Sequence, residues 1–178
     1  VKHFALNDQE TNRMGCAIFA NEQSVRQVYL AAFETAVREG NAHGVMVSMN
    51  RIGSRWTGGH YGLMTETLRN EWGFEGFAVT DQASYSVFAY EDMREGLAAG
   101  TDLWLNTDAT LWKLSDSEMT NEVVNDMQRA AKNVVYAIAQ SNAMNGLAAD
   151  SKVVSVVPLW KKALYALDVA AAIGILIT

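Results

Sequence analysis

The chain has 178 residues, 49% apolar and 19% charged, an ordinary globular composition with enough length for one domain with a real core. A net charge of -6 leaves no basic face, which excludes nucleic acid as an expected partner. The single Cys16 excludes an internal disulfide framework, and the scattered His3, His43 and His60, with no Cys/His cluster, suggest no metal and no cofactor.

Val1-Lys2-His3-Phe4 reads as the tail of a strand. Asn7, Asp8, Gln9, Glu10, Thr11, Asn12 and Arg13 follow, a density of donors and acceptors that suits either a sugar-binding loop or a solvated one. Ser24-Val-Arg-Gln27 matches a capping box and predicts a helix over 24–39. Val25, Val28, Ala32, Phe33, Ala36 and Val37 recur on one face of it, and Gly40 stops it. Gly44-Val-Met-Val-Ser-Met49 predicts a buried strand, and a glycine-rich loop follows to about Gly62. Residues 63–72 predict a short helix, 77–80 a strand, 90–99 a helix stopped by Gly100, and 102–105 a short strand. Ser115-Asp-Ser-Glu118 is a second capping box before a long helix to about Ala139. Met119, Val123, Met127, Ala130, Val134 and Ile138 mark its buried face.

Strand and helix therefore alternate four times, and the strands are apolar runs rather than alternating ones. That pattern predicts an α/β fold with a parallel sheet covered by helices. A closed eight-stranded barrel takes about 250 residues, so four units in about 140 read as half of one. Residues just past strand ends share the functional face of such folds. Lys2 with His3, Ser48 to Arg51, Asp81, and Asn106 with Asp108 all fall there. Asp81 closes the stretch Glu71-Trp-Gly-Phe-Glu-Gly-Phe-Ala-Val-Thr-Asp81, and is either a working acid or the cap of the next element.

Residues 141–152 read as a polar linker, and 153–178 differ in kind. From Ala163 onward Asp168 is the only charge, whereas a spanning helix needs roughly 20 apolar residues. The run is read either as a truncated membrane anchor through 163–178 or as an amphipathic terminal helix. The first residue is not Met and the last lies inside an apolar run, so both ends look cut.

Three blocks in order carry a family resemblance: Lys2-His3-Phe4 with Asn7 to Arg13, then Val45-Met-Val-Ser-Met-Asn-Arg51, then Leu68-Arg-Asn-Glu-Trp-Gly-Phe-Glu-Gly-Phe-Ala-Val-Thr-Asp81. They resemble glycoside hydrolase family 3, the β-glucosidase family, over about residues 1–140. The resemblance implies the C-terminal half of a (β/α)8 TIM-type catalytic barrel and a retaining mechanism. It implies Asp81 as the nucleophile, with Lys2 and His3 hydrogen-bonding the sugar. Met49 falls where many members have a tyrosine beside the nucleophile, and Gln82 replaces a frequent aromatic. The Gly-His-Gly loop of the N-acetylhexosaminidase branch is absent, which points to a β-glucoside or β-xyloside substrate. The resemblance puts the acid/base glutamate on a second domain, and a sugar-binding aspartate and arginine in the first barrel half. The remainder of the same polypeptide is thus an expected partner. By motif Glu10, Glu66 and Glu91 are not acid/base candidates, and Glu10 is expected to brace the Lys2–His3 segment. A non-catalytic carbohydrate-binding relative of the same barrel is the alternative, and a membrane-associated structural domain is a third class. Location stays open: Lys161 and Lys162 favour a cytoplasmic barrel if the run is an anchor, and polymeric substrates favour the cell surface.

Overall fold

The computed structural model describes every residue except 107–110, 147–149, 153 and 178. The chain divides into two compact units, Val1–Asn145 and Gly146–Thr178.

The first unit is built on a parallel sheet. Its strands are β2 (Gly44–Met46), β5 (Phe77–Gln82) and β6 (Leu103–Leu105), in the order β2-β5-β6. Phe4 extends the sheet on the far side of β2 through a parallel bridge to Val47. Phe4 N donates to Met46 O, and Ser48 N donates to Phe4 O, both at 2.8 Å. Sheet neighbours therefore follow chain order within this sheet, and each crossover carries a helix, as parallel strands require. The α/β reading holds in these elements.

The helices form for local reasons. Asn21 caps α1 (Glu22–Ser24) by accepting from Ser24 N, so the start lies before the predicted capping box. The chain then winds through a wide turn, Val25–Tyr29, in which Leu30 N bonds Val25 O, and continues as α2 (Ala31–Arg38). That i→i+5 turn adds a residue to the register. As a result Val28 and Ala32, predicted on the buried face, are exposed, and Leu30 is buried in their place. Residues Gly62–Glu71 form a helix of the same wide winding. Asp92 caps α3 (Met93–Ala99) on Glu95 N, and Gly100 at φ +111° ends it, as a left-handed stop requires. Thr120, not the Ser115 box, caps α4 (Asn121–Ala139), and the Ser115/Glu118 box closes a separate short turn, Asp116–Glu118. The buried line of α4 is Ala130, Asn133 and Ala137, while Met119, Met127 and Ile138 are exposed.

The predicted loop after β2 contributes two strands to a second sheet, and the segment before the first helix contributes the third. There β1 (Ala17–Ile18) runs parallel to β3 (Arg51–Ile52), which hairpins to β4 (Arg55–Trp56). These strands are two residues long, too short to show a period.

The core gathers Phe4, Leu30, Val45, Val47, Met64, Leu68, Trp72 and Ala78. Phe4 meets Phe33 and Trp72 edge-on, with ring centroids 5.2 and 5.9 Å away. One polar knot runs through it. Buried Asp102 accepts from Arg69 Nη2 and from Ala78 N, each at 2.7 Å, and from Asn133 Nδ2 at 2.9 Å. Arg69 also donates to the carbonyls of Gly76 and Gly100. Burial pushes the Asp102 carboxyl up, against the pull of the Arg69 charge and these hydrogen bonds.

The second unit contains α5 (Leu159–Ile177). The expectation of a membrane-spanning segment is not supported: among the described residues no helix is long and apolar enough to cross a membrane. Lys161, Lys162 and Asp168 interrupt this one.

Two substitutions test the frame. Arg69→Met leaves the Asp102 charge buried without its ion partner, and should destabilise the intact protein by about 3–5 kcal/mol in urea denaturation. Gly76→Ala should also be disruptive, because an added Cβ would lie 2.1 Å from the His43 carbonyl oxygen.

Candidate active site

The end of β5 is irregular, and that irregularity aims the site. Val79 pairs with Leu103 but Gln82 pairs with Leu105, so β5 spends one residue more than β6 over the same interval. Such a bulge bends a strand and redirects a side chain. Thr80 and Asp81 occupy it. Both flanks are tied to β6: Leu105 N donates to Thr80 Oγ1, and Ala83 N donates to Leu105 O, each at 2.9 Å. Three residues before Asp81, Ala78 N is held by the Asp102 carboxylate.

Asp81 keeps 15% of its side chain exposed, enough to be reached. Its Oδ1 accepts from Gln82 N at 2.7 Å. On Oδ2, His3 Nε2 lies at 3.3 Å and Arg13 Nη1 approaches to 3.9 Å. One carboxylate oxygen is therefore fixed by backbone, and the other faces a donor and a cation.

The predicted residues separate into those gathered here and those placed elsewhere. His3 reaches Asp81. Lys2 is exposed and borders a surface hollow with Val1, Ala32 and Phe33. The Met49 side chain is buried, and its carbonyl accepts from Tyr90 Oη at 2.9 Å. Ser48 and Asn50 are buried and both donate to Ala5 O, tying two strand ends together. Arg51 lies 4.4 Å over the Tyr90 ring. Glu10 does not brace the Lys2–His3 segment; it pairs with Arg13 at 2.7 Å and accepts from Asn7. Asp108 lies outside the described residues. Among the described residues, no group of three or more His, Cys, Asp or Glu is placed to hold a metal ion.

Sequence reasoning missed two groups. Arg13 was legible only as part of a polar loop. Glu91, within the predicted 90–99 helix and no acid/base candidate by motif, lies ahead of α3 and is fully buried, and neither carboxylate oxygen meets a donor in hydrogen-bonding geometry among the described residues. Burial first, and the Asp81 charge second, push its carboxyl up to about 8, against the pull of Tyr90 and Arg13. No sequence signal marks it; in the structure Trp104 Nε1 of β6 donates to its backbone carbonyl at 3.2 Å.

The linkage has a definite sign. Glu91 binds its proton more tightly folded than unfolded, so its contribution to stability is complete below about pH 4.5 and is lost as pH rises through 8. Thermal or urea unfolding of the intact protein should show stability falling between pH 5 and 8, at a slope approaching about 1.4 kcal/mol per pH unit from this group. Glu91→Gln should remove that slope.

Comparison with known proteins identifies the relatives of this chain. The model of the glycosyl hydrolase family 3 N-terminal domain matches residues 1–141. A β-glucosidase of Ruminococcus albus is 31% identical over 172 residues, covering 88% of this chain and 18% of that protein. Thermostable β-glucosidase B of Acetivibrio thermocellus is 37% identical over 107 residues, covering 60% of this chain and 14% of that protein. Among solved structures, a β-glucosidase from Paenibacillus barengoltzii superposes with TM-score 0.68 at 31% identity, over 87% of this chain and 18% of that one. β-Glucosidase 3B from Thermotoga neapolitana, in complex with glucose, gives 0.66 at 27% identity, over 80% of this chain and 21% of that one. The chain thus spans about a fifth of the length of the relatives it matches. With the family model covering residues 1–141, most of the chain and all of the first sheet, the chain belongs to glycoside hydrolase family 3.

Proposed function

We propose that the intact protein is a retaining β-glycosidase of β-glucosidase type, and that Asp81 is its nucleophile. Residues 1–140 are then the C-terminal half of a (β/α)8 barrel, 141–152 a linker and 153–178 a separate helical segment. The observation that carries the reading is Asp81 itself: a reachable carboxylate at the bulged carboxyl end of a parallel strand, with His3 and Arg13 on one oxygen. The family and its β-glucosidase members support a β-glucoside as substrate, and the missing Gly-His-Gly loop leaves a β-xyloside as the other candidate.

In this mechanism Asp81 attacks the anomeric carbon while the bond to the leaving-group oxygen breaks, and a general acid protonates that oxygen. The same group then deprotonates water, which attacks the glycosyl-Asp81 ester and releases the sugar. The paired carboxyls of retaining enzymes stand about 5–5.5 Å apart across the substrate. Glu91 is fully buried and cannot present itself to a leaving group; the family resemblance assigns the acid/base to the remainder of the polypeptide. His3 and Arg13 face the Asp81 Oδ2 atom. The family resemblance assigns Lys2, His3 and Met49 to the sugar site; of these His3 lies beside Asp81, Lys2 is exposed and the Met49 side chain is buried.

In the intact protein Asp81→Asn should lower kcat by about three orders of magnitude or more with the fold retained. Mass spectrometry after reaction with a 2-fluoro-glycoside should find the adduct on Asp81; an adduct elsewhere would sink the assignment. Lys2→Ala and His3→Ala should raise KM and lower kcat together, since hydroxyl contacts strengthen in the transition state.

These 178 residues expressed alone should hydrolyse no aryl β-glucoside or β-xyloside. Loss of general acid help costs about 10²–10⁴-fold, and missing sugar contacts cost more. Exposed Leu103 and Leu105 on β6 also leave an apolar edge that invites aggregation. Turnover near that of an intact family member, abolished by Asp81→Asn, would place the acid/base within this chain.

A further inference from the structure

The loop that carries Arg13 is fastened at both ends by one segment, Ser48 to Arg51. At its start the chain turns sharply. Buried Leu6 sits at φ +66°, a left-handed conformation that an L side chain keeps only under constraint. The constraint acts on the residue before it: Ala5 O accepts from Ser48 Oγ at 2.9 Å and from Asn50 Nδ2 at 3.2 Å. At the far end Arg51 N donates to Cys16 O at 3.0 Å, and Arg51 Nη1 donates to Met14 O. Between these anchors the loop closes on itself. Arg13 N donates to Glu10 O, Gly15 N donates to Asn12 O, and Glu10 holds the Arg13 guanidinium at 2.7 Å. Arg13 therefore approaches Asp81 Oδ2 from a loop hung on two points, and His3 lies two residues ahead of the first of them. The segment is braced from its other side. Thr57 N donates to Asn50 O at 3.2 Å, Tyr90 Oη donates to Met49 O at 2.9 Å, and the Arg51 guanidinium lies 4.4 Å over the Tyr90 ring. Asn50 sits there at a cost. It is completely buried, and its Oδ1 meets no donor in hydrogen-bonding geometry among the described residues. What it contributes is the second donor on Ala5 O.

We infer that Asn50 and Arg51 are positioning residues for the reaction: Asn50, at the Ala5–Leu6 turn, sets where His3 stands, and Arg51, at the Met14 and Cys16 carbonyls, sets where Arg13 stands, so that both meet the same oxygen of Asp81. The inference rests on Asp81 as nucleophile. It assigns to neither residue a contact with sugar or a proton transferred. Each acts through the group it places. A misplacement of about 1 Å at a reacting centre costs on the order of 100-fold in rate, so loosening either anchor is enough to be felt.

Double-mutant cycles on the intact protein test this, with kcat/KM for 4-nitrophenyl β-glucoside as the readout. Arg51→Ala should lower it by about tenfold or more. The same substitution in an Arg13→Ala background should cost less than about twofold, because the group it positions is gone. Asn50→Leu, which keeps the approximate shape and removes the donor from Ala5 O, should behave likewise against His3→Ala. Losses that multiply independently, as a general loosening of the fold would give, would overturn the assignment of the residue concerned, and so would wild-type kinetics in its single variant. Should Asn50→Leu fail to fold, the Arg51 cycle decides alone. A crystal structure of the intact Arg51→Ala protein reads the placement without turnover. The Arg13 guanidinium should have left its 3.9 Å approach to Asp81 Oδ2, and finding it unmoved would overturn the inference. The 2-fluoro-glycoside separates this inference from the reading beneath it: an adduct on another residue, with Arg13 displaced in Arg51→Ala, would reject the nucleophile and leave the placement of Arg13 by Arg51 standing.

Discussion

The arrangement depends on one buried carboxylate. Asp102 stands at the start of β6, yet its oxygens hold the backbone of β5 at Ala78, the guanidinium of Arg69 and the amide of Asn133. It thereby joins two strands, the helix before β5 and α4. Arg69 carries the tie onward to the turn at Gly76 and the helix stop at Gly100. A buried ion pair is weak evidence for net stability, because desolvation offsets most of the attraction. Its clearer consequence is geometric. Few alternative registers of β5 against β6 would satisfy an acid with no access to water.

That register decides where the extra residue of β5 falls. With Ala78 held by Asp102 and Leu105 held by Thr80, the mismatch has to be absorbed at Thr80 and Asp81. A regular strand would alternate them strictly between faces. The bulge instead turns Asp81 toward His3 and Arg13, residues that arrive from the chain start and its polar loop. Those in turn are held by strand and loop contacts: Phe4 bridges Val47, and Arg51 N bonds Cys16 O. The site is thus assembled from segments about seventy residues apart in sequence, each fixed by backbone hydrogen bonds.

What was legible in the sequence follows from what has a local signature. The parallel α/β order could be read because apolar runs and glycine stops recur at regular spacing. Asp81 could be read because it follows such a run. The faces of α2 and α4 were harder. A wide turn before α2 shifts its register, and α4 turns a polar residue, Asn133, inward to meet Asp102. Helical periodicity assumes regular winding and an apolar seam, and each helix breaks one of those assumptions. The two-residue strands β1, β3 and β4 have no period to detect. Arg13 and Glu91 were missed for a different reason: their roles are set by which distant groups surround them, and no spacing records that.

The parallel register shows what the first unit asks of a partner surface. Met46, Val79 and Leu103 are consecutive partners across β2, β5 and β6, and so share one face of the sheet. Val45 and Ala78, on the opposite face, are buried, whereas Met46 and Val79 are half-buried and Leu103 is exposed. The helices thus cover one face and leave a row of apolar side chains on the other. Asp81 follows Val79 through the bulge, at the carboxyl end of that uncovered row. Apolar side chains beneath a carboxylate strengthen every charge interaction above them once water is excluded. A covering surface on that face would therefore do two things together: bury the apolar row, and bring Asp81, His3 and Arg13 into a drier setting where their mutual attraction counts for more.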